Sequence, residues 1–225
     1  MTVRAIVTDI EGTTSSIDFV VQVLFPFASE ALPGFVQSHA DDPDVAAILE
    51  QARMEAGEPG ATTDRLVEIM QQWIAADRKI TPLKTLQGLI WRHGYESGDF
   101  TGHMYADATE WLRKWSDSGI RLYVYSSGSV AAQQLLFGHS DAGDLRPLFS
   151  GYFDTGIGHK REEVSYRAIV RELGLPAAEV LFLSDVVEEL DAARAAGMQT
   201  TQIVRDDGIG TGGHPLAHAF DEVII

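Results

Sequence analysis

Apolar positions follow two different rhythms along this chain, and the change between them divides it. Val3 to Val7 is an apolar run broken only by Arg4, which reads as a short buried strand. From Asp18 the pattern turns helical. Asp18 to Phe25 opens an apolar-rich segment running toward His39. Asp42-Pro43-Asp44 reads as a helix start, with proline in the first turn and acids at the positive end of the dipole; Val45 to Leu49 follow, and Gly57-Glu58-Pro59-Gly60 ends the segment. Thr63-Asp64 opens a third helix, in which Leu66, Ile69, Met70, Trp73 and Ile74 recur at three- and four-residue spacing until Asp77-Arg78-Lys79. Thr81-Pro82 starts a fourth, carrying Leu83, Leu86, Leu89, Ile90 and Trp91 and fading at Gly94 and Gly98. Four helical patterns therefore follow a single strand.

From Asp107 strands and helices alternate. The pattern predicts helix Thr109 to Trp115, strand Leu122 to Tyr125, a helix from Val130, helix Glu162 to Leu173, strand Val180 to Leu183, helix Val187 to Ala196 and strand Gln199 to Val204. Such alternation implies parallel pairing by right-handed crossovers. The expected fold is therefore α/β, a parallel-sheet core from residues 1–17 and 107–225 interrupted by an all-helical insertion at 18–106. Gly208-Ile209-Gly210-Thr211-Gly212-Gly213 lacks the strand-to-helix setting of a nucleotide-binding loop and reads as a flexible surface loop.

Composition narrows the partners. The 225 residues hold 33 Asp and Glu against 17 Lys and Arg, a formal charge of −16, which disfavours nucleic acid and anionic membrane. There is no cysteine, so disulfides, thiolate catalysis and cysteine-based zinc sites are excluded. No apolar run is read as approaching the ~20 residues of a membrane span. The opening Met1-Thr2-Val3-Arg4 does not resemble a signal peptide, so a cytoplasmic protein is expected, and the lack of a heptad pattern makes a monomer the default.

The chemistry lies at the strand ends. The first expected strand finishes in Asp9 and Glu11, followed by Gly12-Thr13-Thr14-Ser15-Ser16; the second in Ser126, Ser127 and Ser129 around Gly128; the third in Ser184-Asp185 with Glu188 and Glu189 beyond. Between the last two sits Gly156-Ile157-Gly158-His159-Lys160. Parallel strands bring such ends to one edge of the sheet. Asp9 and Asp185 suit a hard cation such as Mg²⁺, which takes one or two carboxylates and binds phosphate oxygens directly. Ser126 and nearby N–H groups suit a phosphoryl group, with Lys160 as fixed positive charge. With those charges neutralised, a carboxylate can attack phosphorus, and Glu11 can protonate the leaving oxygen and later activate water. Each motif alone has a simpler reading as a helix cap or turn, and His139 and His159 read as ordinary loop residues. Their joint order favours a phosphatase.

That order of Asp-x-Glu, strand-end Ser, Lys and late Asp resembles the haloacid-dehalogenase-like phosphohydrolases, whose fold is a Rossmann-like α/β core, here with an insertion similar to the family's type-one cap. Most members carry a second aspartate where this chain has Glu11. With Leu24-Phe25-Pro26, Leu86-Gln87-Gly88, Val124 to Ser129, Leu136-Phe137-Gly138-His139-Ser140 and Phe153 to Lys160, the chain is similar to one branch of that family over nearly its whole length. The resemblance implies a Mg²⁺-dependent enzyme of methionine salvage that enolises a phosphorylated diketone and then removes its phosphate. It implies Asp9 as nucleophile and metal ligand, Glu11 as the second acid contributing to the metal site, Ser126 and Ser127 as phosphate contacts, Lys160 as the motif lysine and Asp185 as the last metal ligand. Glu189 matches a supporting acid outside that set. The enolising base stays open between Glu11 and a cap residue. A dehalogenase or another phosphatase on the same fold, and a silent binding protein, are the alternatives; the chemically competent side chains at all four motif positions argue against the last.

Overall fold

The structure, a computed structural model, describes residues 2–76, 78–206, 208 and 210–225. The chain divides into two compact units, 1–17 with 101–225, and 18–100.

In the first unit, six strands form one parallel sheet: β1 (Ala5–Thr8), β2 (Arg121–Tyr125), β3 (Phe149–Phe153), β4 (Val180–Ser184), β5 (Gln199–Ile203) and β6 (Leu216–Ala217), in the order β3-β2-β1-β4-β5-β6. Ala5 stands opposite Arg121 on one side and Val180 on the other. The central strands β1 and β4 are buried along their whole length, as strands covered on both faces must be. Alternate residues serve opposite cores. Ala5, Val7, Tyr123, Tyr125, Val180 and Phe182 pack on one face, whereas Ile6, Leu122, Leu181, Leu183 and Ile203 pack on the other. The strand order reverses at β1 and β4, and an open α/β sheet presents its crevice at such a point, beyond the carboxyl ends of the strands.

Two strands escaped the sequence reading. β3 reads Phe-Ser-Gly-Tyr-Phe and lies on the sheet edge, so only Phe153 is fully buried and no apolar run marks it. β6 has only two residues. Residues 101–106, assigned by pattern to the insertion, belong to the sheet unit: the Gly102 N–H donates to His139 O at 2.8 Å and the Tyr105 N–H to Thr14 O at 3.0 Å. The glycine-rich segment departs from a free loop as well. Ile209 lies outside the described residues, but Gln202 donates to Gly210 O at 2.7 Å and accepts from the Gly212 N–H at 2.9 Å.

The second unit is all helical. α1 (Ile17–Phe19), which begins on the last residue of the first unit, runs through a π-helical turn at Val20–Leu24 into α2 (Phe25–His39); α3 (Pro43–Ala56), α4 (Thr63–Ala75) and α5 (Thr81–Ser97) follow, and the first unit then carries α6 (Ala106–Asp117), α7 (Val130–Gly138), α8 (Glu163–Leu173) and α9 (Val187–Ala195). Asp42 caps α3 by accepting from the Asp44 N–H at 2.9 Å, and Gly57 closes it at φ 69°. Of the expected stop after α4, Asp77 lies outside the described residues. α5 runs through Gly94, where a Cβ would meet the Phe100 and Phe27 rings at 2.5 and 2.7 Å. Leu66, Met70, Trp73, Leu83, Leu86 and Ile90 fill this unit's own core together with Ala28, Leu32 and Val36.

Ile17–His39 corrects one expectation. It is a continuous helical stretch of 23 residues with a mean hydropathy of 1.5 in its most apolar window, long and apolar enough by those measures to span a membrane. The positions from Asp18 toward His39 read as one helical segment, but Glu30 and other polar residues interrupt its apolar runs. Ala28, Leu32 and Val36, four residues apart, are fully buried in the unit's own core, a use for that face that needs no lipid.

Replacing Leu32, which has no exposed surface, with alanine leaves a cavity in the helical core. Chemical denaturation of Leu32→Ala should show a loss of about 2–5 kcal/mol.

Candidate active site

The ends of β1, β2 and β4 and the loop after β3 deliver the predicted side chains to one place. Asp9 follows β1 directly, its N–H still donating to Leu183 O at 2.9 Å, so its side chain leaves a rigid backbone. Asp9 Oδ1 accepts from the Ile10 N–H at 2.8 Å and from Lys160 Nζ at 2.6 Å. Asp9 Oδ2 has one longer contact, from Ser184 Oγ at 3.4 Å. The same lysine reaches Glu189 Oε2 at 2.7 Å, and Ser184 Oγ also lies 3.1 Å from that oxygen. Lys160, Asp9 and Glu189 are 7%, 2% and 7% exposed, so this is a buried, hydrogen-bonded carboxylate–ammonium–carboxylate chain.

Glu11 extends toward β2, where Ser126 Oγ donates to its Oε2 at 3.3 Å. The Ser126 hydroxyl in turn accepts from the Gly128 N–H at 3.1 Å, which folds the Ser126–Ser129 turn back on itself; Ser129 caps α7 (Val130–Gly138) and Ser127 is exposed. Asp185 lies against Gly12. A Cβ on Gly12 would stand 2.4 Å from Asp185 Oδ2, and Gly12 holds φ 74°, so both space and backbone demand glycine. Asp185 Oδ1 is buried with no hydrogen-bond partner.

Electrostatics follow from crowding. Burial, then the charge of Asp9, raises Glu11 above the ordinary carboxylate range. The same two causes push Asp185 up to about 6. Glu189 rises to about 7 for those reasons, against the pull of Lys160. Burial opposes the charge on Lys160, but Asp9 and Glu189 together overcome it and hold the ammonium above its ordinary value. One ammonium thus pairs with two of these carboxyl groups, Asp9 and Glu189, while Glu11 and Asp185 feel its charge without an ion pair to it.

Sequence reasoning missed part of the support. Glu188 is exposed and Glu189 is the buried member of that pair, which the helical phase of α9 (Val187–Ala195) decides. Arg205, just past β5, donates from Nη2 to Thr13 O at 2.8 Å, binds Asp107 at 2.8–2.9 Å and stacks 4.1 Å from the Tyr105 ring centroid. It buttresses the loop after Asp9 from behind. No motif flagged Arg205, because its partners lie 98 and 192 positions away in sequence.

The haloacid dehalogenase-like hydrolase family model matches residues 3–197. An enolase-phosphatase E1 of Pseudomonas aeruginosa is 56% identical over 225 residues, covering all of both chains. This chain belongs to the enolase-phosphatase E1 family of haloacid dehalogenase-like hydrolases. An enolase-phosphatase E1 of Serratia proteamaculans is 55% identical over 98% of this chain and 96% of its own. The crystal structure of the UTR4 protein of Saccharomyces cerevisiae superposes with a TM-score of 0.85 at 36% identity, covering 99% of this chain and 100% of that one. CbbY from Rhodobacter sphaeroides, solved with phosphate, shares the fold at a TM-score of 0.61 and 15% identity, over 98% and 96% of the two chains. As a member of the enolase-phosphatase E1 family the chain is a phosphatase-type hydrolase acting on a phosphorylated small molecule, and haloacid dehalogenase-like phosphatases generally use a divalent metal.

The residues fit such an ion. Its donors would be carboxylate oxygens, one of them, Asp185 Oδ1, is buried and unpartnered, and the acids outnumber the lysine. Among the described residues, however, no three His, Cys, Asp or Glu side chains are grouped closely enough to hold a metal alone, so the expected trio Asp9, Glu11 and Asp185 does not form such a group. The physical reason is that Glu11 turns to Ser126 and Lys160 draws Asp9 toward Glu189. Two carboxylates completed by water and phosphate oxygens still meet the needs of Mg²⁺.

Gly12→Ala tests the packing of this corner. The left-handed backbone costs alanine about 1–2 kcal/mol, and the new methyl displaces Asp185. Phosphate release should fall by about tenfold or more while the circular-dichroism spectrum stays that of the parent.

Proposed function

We propose that the chain is a bifunctional enolase-phosphatase of methionine salvage. It enolises 2,3-diketo-5-methylthiopentyl-1-phosphate, then hydrolyses the phosphate through an aspartyl-phosphate to give the acireductone 1,2-dihydroxy-3-keto-5-methylthiopentene. The observation that carries the phosphatase reading is the asymmetric hold on Asp9. Oδ1 is fixed by Lys160 at 2.6 Å and by a backbone N–H, whereas Oδ2 has a single long contact. Oδ2 is then the oxygen that bonds to phosphorus as the ester P–O bond breaks.

Each remaining residue has a share. Ser126 and exposed Ser127, with N–H groups of their turn, receive the phosphoryl oxygens, and Lys160 supplies positive charge to them and to Asp9. Glu11, held by Ser126, gives its proton to the leaving oxygen; as a carboxylate it then takes a proton from the water that attacks phosphorus and frees Asp9. Burial and the charge of Asp9 raise its pKa, which favours the protonated form that a proton donor to the leaving oxygen needs. Asp9 and Asp185 would hold the metal, which we assign as Mg²⁺; when bound it neutralises phosphate and stabilises enolate charge. The chain is proposed to work as a cytoplasmic monomer without nucleic-acid or membrane partners, in keeping with its charge of −16.

Incubating the protein with the diketo-phosphate and Mg²⁺, and following enol absorbance and free phosphate separately, tests the whole reading. Both signals should appear, and Asp9→Asn should abolish phosphate release; an unchanged rate in that variant would refute the mechanism. Full turnover of a haloacid in chelator would instead make the chain a dehalogenase.

Metal binding has its own readout. Mg²⁺ should raise the melting temperature of the parent protein, since a ligand that binds only the native state stabilises it. In Asp185→Ala that rise should disappear at the same Mg²⁺ concentration; an equal rise in both proteins removes Asp185 from the metal site.

A further inference from the structure

Lys160 sits in a turn before α8 (Glu163–Leu173), yet its ammonium is held within 2.7 Å of two buried carboxylates. A flexible four-carbon side chain keeps such a position only if the backbone beneath it is fixed. Three successive carbonyls of that turn each accept a hydroxyl. Tyr125 Oη donates to Gly158 O at 3.0 Å, Ser165 Oγ to His159 O at 2.8 Å and Tyr166 Oη to Lys160 O at 2.6 Å. His159 O also closes the turn by accepting from the Glu162 N–H at 3.0 Å.

The three donors have no exposed surface, and their own positions are set by packing. The Tyr125 and Tyr166 rings meet edge to face at 5.5 Å, Tyr166 meets Phe182 in the same way at 5.0 Å, and all three belong to one core face of the sheet. The Tyr125 ring lies 5.8 Å from Lys160 Nζ, so one side chain contacts both ends of the device. The fit at Gly158 is close: at φ 141°, a Cβ there would stand 2.2 Å from Ser165 Oγ.

We propose that Tyr125, Ser165 and Tyr166 are positioning residues for phosphoryl transfer, three hydroxyls that fix the backbone of 158–160 and thereby set where Lys160 Nζ stands between Asp9 and Glu189. This rests on the reading of Lys160 given above. None of the three touches the reacting atoms; each acts through the lysine.

The test uses Tyr166→Phe and Ser165→Ala, which remove a hydroxyl with little change in shape, alone and combined with Lys160→Ala. Single-turnover phosphate release from the diketo-phosphate, at saturating substrate and per folded protein by circular dichroism, is compared with KM. Each single variant should lower release about tenfold with KM nearly unchanged. Added to Lys160→Ala, neither should slow release further, because the group they position is gone. A wild-type rate per folded molecule in both single variants overturns the proposal, as does a loss that multiplies with that of Lys160→Ala. Should Lys160→Ala alone release phosphate at the parent rate, the reading of Lys160 itself falls and takes this proposal with it.

Discussion

A single buried ammonium is the constraint on which this site depends. Burial, and then the charge of Asp9, raise the cost of charge on Glu11, Asp185 and Glu189. Lys160 is the cation that lets Asp9 and Glu189 stand together, 2.6 and 2.7 Å from its nitrogen. A buried ion pair of this kind is weak evidence for stability, since desolvation offsets most of the attraction. Its value here is placement: it fixes one oxygen of Asp9 and leaves the other for chemistry. The residual negative charge, with one buried carboxylate oxygen of Asp185 unpartnered, is what makes a divalent ion belong in the same corner.

The sheet explains why such distant residues could be picked out from the chain. β1 and β4 are central, buried on both faces and therefore nearly pure apolar runs, and their ends carry Asp9 and Asp185. Parallel pairing then does the rest, and alternation of strand and helix is enough to imply it. The helices of the second unit were equally legible, because caps at Asp42 and Gly57 and the stripe from Leu66 to Trp73 obey local rules. β3 was not, since an edge strand containing Ser150 and Gly151 buries too little to leave a pattern. Ile17–His39 was legible as a helical segment but not as a long apolar one, because Asp18, Glu30 and other polar residues interrupt its apolar runs.

Within the site, residues that carry the proposed chemistry were legible and residues that hold them were not. Asp9, Glu11, Ser126, Lys160 and Asp185 announce themselves by type and by position after a strand. Tyr125 and Tyr166 look like ordinary core aromatics, and only their hydroxyls' partners show otherwise. Among the described residues the side chains of Asp9, Glu11 and Asp185 are not gathered as a trio, and the Ser126 hydroxyl that holds Glu11 is a partner no spacing rule contains.

Arg205 gives the tail of the chain a meaning of its own. The match to the broader haloacid dehalogenase-like hydrolase model stops at residue 197, but the guanidinium that grips Thr13 O comes from 205, Gln202 donates to Asp185 O, and Phe220 hands its N–H to the Asp107 carboxylate that holds Arg205. The part of the sequence that matches widely is therefore incomplete as a machine. A hybrid built by joining residues 1–197 to the tail of a distant relative would inherit every acid and the lysine, and still lose the brace behind its nucleophile's loop.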